Sequence, residues 1–371
     1  MNRREILQVA GASAVLALAR RAAGDDTLIV RGSAPQNLET PLDLLDRPIT
    51  PTPAMFVRSH FGAPALDRTR TLAIDGMVAT KLTLSVDDLK AFHEVTVTAV
   101  LECSGNGRSL MAPRVPGVQW GHGAMGQAEW TGVRLADVLA KAGVAADAAH
   151  VQLAGADRPP KPTVPAFIRS IPLARALDPG TLIAYKMNGE LLPHAHGAPL
   201  RLIVPGWAGD HWVKWLTTIR VQKAEAEGFY MQTAYRFPTE PVTPGATVPP
   251  EKMKPVTVLP VQSVIARPAD GATLAKGPQE VVGVAFSGEA TIARVEVSLD
   301  GGATWKDAKL EGDPGIGRWQ VFRLAFTAGA GPQAALARAT DAHGKTQPEQ
   351  PLWNPSGYLW NAWHRVAWEA K

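Results

Sequence analysis

An α+β domain built on mixed sheets, followed by an immunoglobulin-like β-sandwich, is the architecture this chain predicts. Three observations carry it. Short apolar, strand-like runs outnumber helical patterns along the first two-thirds of the chain. The 34 glycines and 31 prolines among 371 residues favour loops and short elements over long helices. Seven prolines between Pro238 and Pro260 then separate two stretches of different grammar, and their density predicts an extended linker.

The elements come in order. Asn2-Arg3-Arg4-Glu5 precedes a mild Ala-rich stretch, Val9–Ala19, and then Ala22-Ala23-Gly24. That form predicts a twin-arginine export signal over residues 1–24 and a mature protein in a bacterial periplasm. From Asp25 to about Pro64 the chain is Pro-rich and irregular. Val95–Leu101 and Leu200–Val204 read as strands. Ser85–Phe92 reads as a helix opened by a Ser cap, and Leu135–Ala142 as a second helix. The first domain is placed at 25–245 and the sandwich at 246–371. In the latter, Ile292, Val295, Val297 and Leu299 mark a half-buried strand that turns at Asp300-Gly301-Gly302, and Trp319–Phe326 and Ala334–Thr340 continue the pattern.

Composition excludes several function classes. At 46% hydrophobic and 19% charged residues, the chain is neither disordered nor a polytopic membrane protein, and no run of 18 apolar residues predicts a span. The net charge of +4 belongs mostly to the leader, where four arginines face one glutamate; the remainder is near +1, which removes the case for a nucleic-acid partner. A single cysteine excludes a disulfide framework, a cysteine zinc site, an iron–sulfur cluster and a c-type haem attachment.

Three local patterns resemble sites without being read as such. Gly121-His122-Gly123-Ala124-Met125-Gly126 matches a dinucleotide fingerprint in letters, yet the next residues, Gln127-Ala128-Glu129-Trp130-Thr131-Gly132, are a poor opening for a crossover helix. Ser298-x-Asp300-x-Gly302-x-Thr304 matches an Asp-box in one copy, which reads as a structural turn. His194 and His196 would share a face on a strand, as a zinc pair might, but the sequence offers no third ligand at a recognisable spacing.

The sole cysteine lies in Leu101-Glu102-Cys103-Ser104-Gly105-Asn106-Gly107-Arg108-Ser109, after a strand and inside a Gly-rich turn. Arg108 predicts a thiolate in an electropositive setting. Other segments stand out beside it: Phe56-Val57-Arg58-Ser59-His60, Gly155-Ala156-Asp157, Ser170-Ile171-Pro172-Leu173, and His196-Gly197-x-Pro199-x-Arg201 with Val213-Lys214-Trp215 beyond. Trp353-Asn354 and Asn361-Ala362-Trp363-His364-Arg365 close the chain. Together and in this order they resemble the sulfite oxidase family of molybdenum enzymes over residues 50 to 371.

The resemblance implies a molybdopterin-binding first domain and a dimerisation role for the sandwich, hence a homodimer. It implies one molybdenum–molybdopterin per chain with Cys103 as the protein's metal ligand. A lone thiolate then suffices, because the cofactor brings the remaining soft sulfur donors. Arg58, Arg108 and Tyr235 match the substrate-pocket residues, and guanidinium forks suit a small oxyanion. Phe56, Val57, Arg58, Ser59, His60, Asp157, His196, Arg201, Trp212, Val213 and Lys214 match cofactor-binding positions. The implied reaction is oxidation of sulfite to sulfate, with electrons passed to a separate c-type cytochrome, since no haem is expected in this chain. The alternative is sulfane dehydrogenation or another sulfur oxidation on the same cofactor. One departure stands out: Trp353-Asn354-Pro355-Ser356-Gly357 carries Ser356 where relatives often place a basic residue. Either the anion pocket differs there or another base, with Arg236 as the candidate, takes its place.

Overall fold

The structure is a computed structural model that describes residues 28–371, so the export signal expected at 1–24 lies outside the described residues. A small antiparallel sheet joins Ile29–Ser33, Gln36–Glu39 and Val57–Arg58. Two five-stranded sheets form the body of the first domain. In one, Glu94–Glu102 pairs with Met125–Arg134, which pairs with Leu182–Met187; the short strands Glu190–Leu191 and Arg201–Ile203 both join the latter. In the other, Leu216–Gln222 runs parallel to Leu72–Gly76 and antiparallel to His150–Gly155, which makes the sheet mixed as expected.

The core between these layers is made by period. Leu135–Ala142 buries Leu135, Val138, Leu139 and Ala142, one stripe of a 3.6-residue repeat, and Gly143 at φ 71° ends it. Each such buried aliphatic side chain contributes about 1.5–3 kcal/mol relative to an exposed one. Trp120, Trp130 and Trp212 are fully buried, with Trp130 and Trp212 edge to face at 5.8 Å. The helix expected from Ser85 to Phe92 is shorter, Val86–Leu89, with Ser85 and Asp88 forming a reciprocal capping box. Beyond Lys90 the amides of Ala91 and Phe92 turn to carbonyls three residues back, tightening the turn ahead of Glu94–Glu102.

The Pro-rich segment is not an extended linker. Arg236–Pro238 pairs antiparallel with Met253–Pro255, so the chain leaves and returns to one place. Beyond it, the strands Gln262–Arg267, Gly277–Phe286, Gln320–Ala328 and Lys309–Glu311 form one sheet of a sandwich. Ala272–Leu274, His364–Ala370, Gly331–Asp341, Ile292–Ser298 and Lys306–Asp307 form the other. Val295, Val297, Phe322, Ala337, Ala339 and Val366 fill the space between them. The Asp-box side chains bond only within their own turn: Ser298 Oγ accepts from the Gly302 amide at 2.8 Å and Asp300 Oδ1 from the Thr304 amide at 2.9 Å.

The two halves are locked by polar groups as well as packing. Gln127 accepts from the Trp319 amide at 2.7 Å and donates to the Trp319 and Pro48 carbonyls, and the Val100 amide reaches the Gly317 carbonyl. The GxGxxG-like segment runs into the strand Met125–Arg134 and opens no helix. Its glycines serve close approach, since a Cβ on Gly123 would lie 1.9 Å from the Thr40 carbonyl oxygen. His194–His196 is a 3₁₀ turn and not a strand, so the two rings do not share a face. No helix among the described residues is long and apolar enough to cross a membrane.

Candidate active site

Cys103 is the first residue past the strand Glu94–Glu102, where the chain must reverse inside the protein. The turn is held by Asn106, whose side chain donates to Glu102 Oε1 at 2.8 Å and accepts from the Ala124 amide at 2.9 Å. The Cys103 amide itself bonds the Ala124 carbonyl. Gly107, at φ 77°, lies against the Trp360 ring, and a Cβ there would meet it at 2.4 Å. Sequence spacing puts the thiol at a strand end; only this bracing makes the position rigid.

An open cleft with about 730 Å³ of empty space, part of it open solvent, lies beside Cys103. Phe56, Arg58, His60, Asp157 and Tyr235 line it, as do His196, Arg201, Trp212, Val213 and Lys214. Ten of the residues expected to hold cofactor or substrate therefore meet around the cysteine, from segments up to 180 residues apart in sequence. Val57, Ser59 and Arg108 do not line it. Val57 is buried in the small sheet and paired with Leu38, and Ser59 accepts from Lys214 Nζ at 3.1 Å.

Arg108 sits behind the wall. Its Nε donates to the Ser356 carbonyl at 2.9 Å and its Nη1 to the Val118 carbonyl at 3.1 Å, in a slot that glycines keep open: a Cβ on Gly105 would meet Nη2 at 2.4 Å. It acts on Cys103 through its charge and not by lining the cavity. Arg236 is not a substitute base for the pocket. It pairs with Glu225 at 3.1 Å and donates to the Met231 and Met253 carbonyls, which absorbs its fork.

Arg58 Nη2 donates to His60 Nδ1 at 3.0 Å, so that nitrogen is the acceptor and the ring is neutral with its hydrogen on Nε2. The Tyr235 hydroxyl reaches the same nitrogen at 3.3 Å. Burial and then the Arg58 charge push His60 down to about 3, keeping it neutral at physiological pH. Tyr235 has φ 57°, a left-handed conformation costly for an aromatic residue, and its carbonyl is held by the Val256 amide at 2.8 Å. Burial pushes the Cys103 thiol up, while Arg58, Arg108 and the Gly105 amide pull the other way without cancelling it. The electropositive setting expected from sequence is present, but desolvation outweighs it in the protein alone.

Part of this site is not legible in the sequence. Asp210 lines the cavity beside Ser104 and Phe167. Its carboxylate pairs with Arg169 at 2.6 Å, both side chains being essentially inaccessible, and burial pushes Asp210 up to about 7 against the pull of Arg169. Arg169 also bonds the Tyr230 carbonyl and His211, and its guanidinium lies 5.3 Å from the Tyr235 ring centroid. The available signal was an arginine in the apolar strand Ile168–Pro172 and an acid flanked by Gly209 and His211; neither reveals burial by itself.

The charge balance states what the cavity holds. Among the described residues, Arg58, Arg108, Arg201 and Lys214 have no carboxylate within ion-pair distance. Burial, then the facing Arg201 charge, pushes Lys214 far down, and burial pushes Arg201 to about 9. Cations so placed are stable when an anion arrives between them. Ser104 Oγ, Arg201 Nε and Asp210 Oδ1 are buried without a hydrogen-bond partner. A soft thiolate donor, a pair of unpaired cations and orphaned polar atoms fit a phosphate-bearing pterin that carries a soft metal. Lys214→Met is expected to weaken cofactor retention by about ten- to a hundredfold, from about 1.5–3 kcal/mol per charged hydrogen bond. Molybdenum per chain by elemental analysis reads it.

Fold and site define a molybdopterin-dependent oxidoreductase. Residues 60–230 match the oxidoreductase molybdopterin binding domain and residues 253–371 the Mo-co oxidoreductase dimerisation domain. The chain is 33% identical over 369 residues to sulfite oxidase of Arabidopsis thaliana, covering 92% of this chain and 93% of that one. It is 38% identical to sulfite oxidase of Gallus gallus over 91% of this chain and 77% of that one. Against mitochondrial sulfite oxidase of Homo sapiens the identity is 40%, over 91% of this chain but 65% of that protein's length. The crystal structure of the sulfane dehydrogenase SoxCD from Paracoccus pantotrophus superposes with a TM-score of 0.78 at 28% identity, covering 94% of this chain and 85% of that one. The chain belongs to the sulfite oxidase family of molybdenum enzymes, and its cofactor is molybdenum–molybdopterin.

Proposed function

We propose that the protein oxidises sulfite to sulfate and passes the electrons to an external c-type cytochrome. The observation that carries this reading is the arginine pair around the thiol: Arg58 lines the cavity with Tyr235 and His60, and Arg108 adds a fixed charge beside Cys103. Arg58 is fixed by bonds to Asn37, the Ser59 carbonyl and His60, so its charge is already in place and little reorganisation opposes charge moving through the reaction. Bound to Cys103, the cofactor supplies oxygen-atom transfer and a two-electron sink. Sulfite and water become sulfate, two electrons and two protons.

In this reading His60 stays neutral and accepts from Arg58 at Nδ1, with the Tyr235 hydroxyl beside the same nitrogen. Phe56, His196, Arg201, Trp212, Val213 and Lys214 bind the pterin and its phosphate, with Ser59 steadying Lys214 and Asp157 offering an acceptor to the ring. Sulfane oxidation is the second reading, favoured by the similarity to SoxCD over nearly the full chain. The homodimer is supported by the match to a dimerisation domain, and periplasmic export by the Arg3-Arg4 leader.

The test is turnover of molybdenum-loaded protein on sulfite and on thiosulfate-derived sulfane sulfur, with cytochrome c as acceptor. Sulfite turnover is expected to dominate, and its absence in loaded protein overturns the reading. Arg58→Met is expected to raise the KM for sulfite by about ten- to a hundredfold, from about 1.5–3 kcal/mol per charged hydrogen bond. An unchanged KM removes Arg58 from the anion site.

A further inference from the structure

The sandwich domain braces two residues that line the cavity, Ser104 and Tyr235. Residues 354–359 of the sandwich domain fold into a small loop closed by Asn354, whose side chain accepts from the Tyr358 amide and donates to the Tyr358 carbonyl, each at 2.9 Å. The Leu359 amide then reaches across to the Ser104 carbonyl at 2.8 Å, next to the thiol-bearing residue. This fixes Tyr358, which is 9% exposed, with its ring stacked on Tyr235 at 5.6 Å and 13° between planes.

The same ring is also in contact with a cation. The Arg108 guanidinium carbon lies 5.3 Å from the Tyr358 centroid, and Arg169 lies 5.3 Å from the Tyr235 centroid. Arg108, Tyr358, Tyr235 and Arg169 are thus linked by successive cation–ring, ring–ring and ring–cation contacts; of the four, Tyr235 lines the cavity. Cation–π contacts strengthen when desolvated, as here. Ser356 contributes only its carbonyl, to Arg108 Nε. Gly357 lets the loop close on the same guanidinium stem: its φ is 62° and a Cβ there would lie 2.9 Å from Arg108 Cγ.

We propose that Tyr358 is a positioning residue through which the sandwich domain holds Tyr235 in the cavity wall and Arg108 behind it, so that an uncharged ring sets the affinity for the oxyanion. The proposal rests on the reading that an oxyanion binds beside Cys103. The proposal assigns the role to the Tyr358 ring and not to its hydroxyl.

Tyr358→Leu and Tyr358→Met remove the π face while filling the space, and Tyr358→Phe keeps it. In molybdenum-loaded protein, the leucine and methionine variants are expected to raise the KM for sulfite about tenfold, with kcat within about threefold. The dissociation constant for sulfate, read by isothermal titration, moves in parallel. Tyr358→Phe stays within about twofold in both measures. Unchanged KM and sulfate affinity in the leucine or methionine variant overturns the proposal, as does a fall in kcat alone. A shift in Tyr358→Phe as large as in Tyr358→Leu also overturns it, since the role then belongs to the hydroxyl. Wild-type protein inert toward sulfite refutes the proposed reaction instead, while the sulfate titration still reads Tyr358.

Discussion

Cys103→Ser is expected to lower turnover by more than about 1000-fold, beyond about 4 kcal/mol of transition-state stabilisation. Loss of an outer-shell partner of a metal ligand costs about 10–100-fold, and this change removes the only thiolate the chain can offer. The serine hydroxyl is a harder and far less acidic donor, poorly matched to a soft, high-valent metal. The backbone should not notice: Cys103 is held by its amide and carbonyl, to Ala124 and from Asn106. Steady-state assay beside a thermal melt checks both halves, the second expected within about 1 kcal/mol of wild type. Activity within tenfold of wild type would take Cys103 off the metal.

Arg169→Met is expected to destabilise the fold increasingly above pH 7, by about 1.4 kcal/mol more at pH 8 than at pH 5, because ionised Asp210 is then left buried without its cation. Asp210 is essentially inaccessible and already pushed up to about 7 with Arg169 beside it. Without that cation it rises further, and the folded state then favours protonated Asp210. A carboxyl raised above its unfolded value of about 3.9 helps the fold below that pH and loses the contribution as pH rises through the folded value. Denaturant melts should therefore show a small deficit for Arg169→Met near pH 5 that grows through pH 7 to 8. Arg169→Met with Asp210→Leu should recover much of it, since replacing a buried pair by apolar residues is often neutral. A deficit independent of pH would mean that lost packing, and not the stranded charge, is responsible. Arg169 also faces Tyr235, so the single variant should disturb the site as well.

Local patterns were readable because their causes are local. The stripe Leu135, Val138, Leu139 and Ala142 yields its helix with matching bounds, and the Ser85 cap opens its helix although the last turn tightens early. The run around Val95–Leu101 is a strand in one of the two main sheets. The site was readable for a different reason: ten of its residues sit in short segments whose order and spacing resemble one family, and those segments converge on one cavity. Proline density, by contrast, misled. Pro238 and Pro255 lie on paired strands, because a two-stranded edge leaves half its amides unused and tolerates proline there.

Arginines show most clearly where reading the chain stops. Arg58, Arg108, Arg169 and Arg236 are the same letter in the sequence. In the fold, Arg58 lines the cavity, Arg108 is locked to carbonyls behind it, Arg169 is buried against Asp210 and Arg236 is taken up by Glu225. Each outcome depends on a partner from a distant segment and on how much water remains.

A mixed-sheet α+β domain followed by a sandwich, a lone thiol in a Gly-rich turn and the family's ordered segments were all set down in the chain itself. Periodicity, turn chemistry and motif order are properties of neighbouring residues, so they can be read without the fold. It took the folded protein to decide which cations remain unpaired, that Asp210 faces the cavity, and that Tyr358 crosses from the second domain to stack on Tyr235. Burial and charge pairing are relations between residues far apart in the chain, and they come into being only when the chain folds.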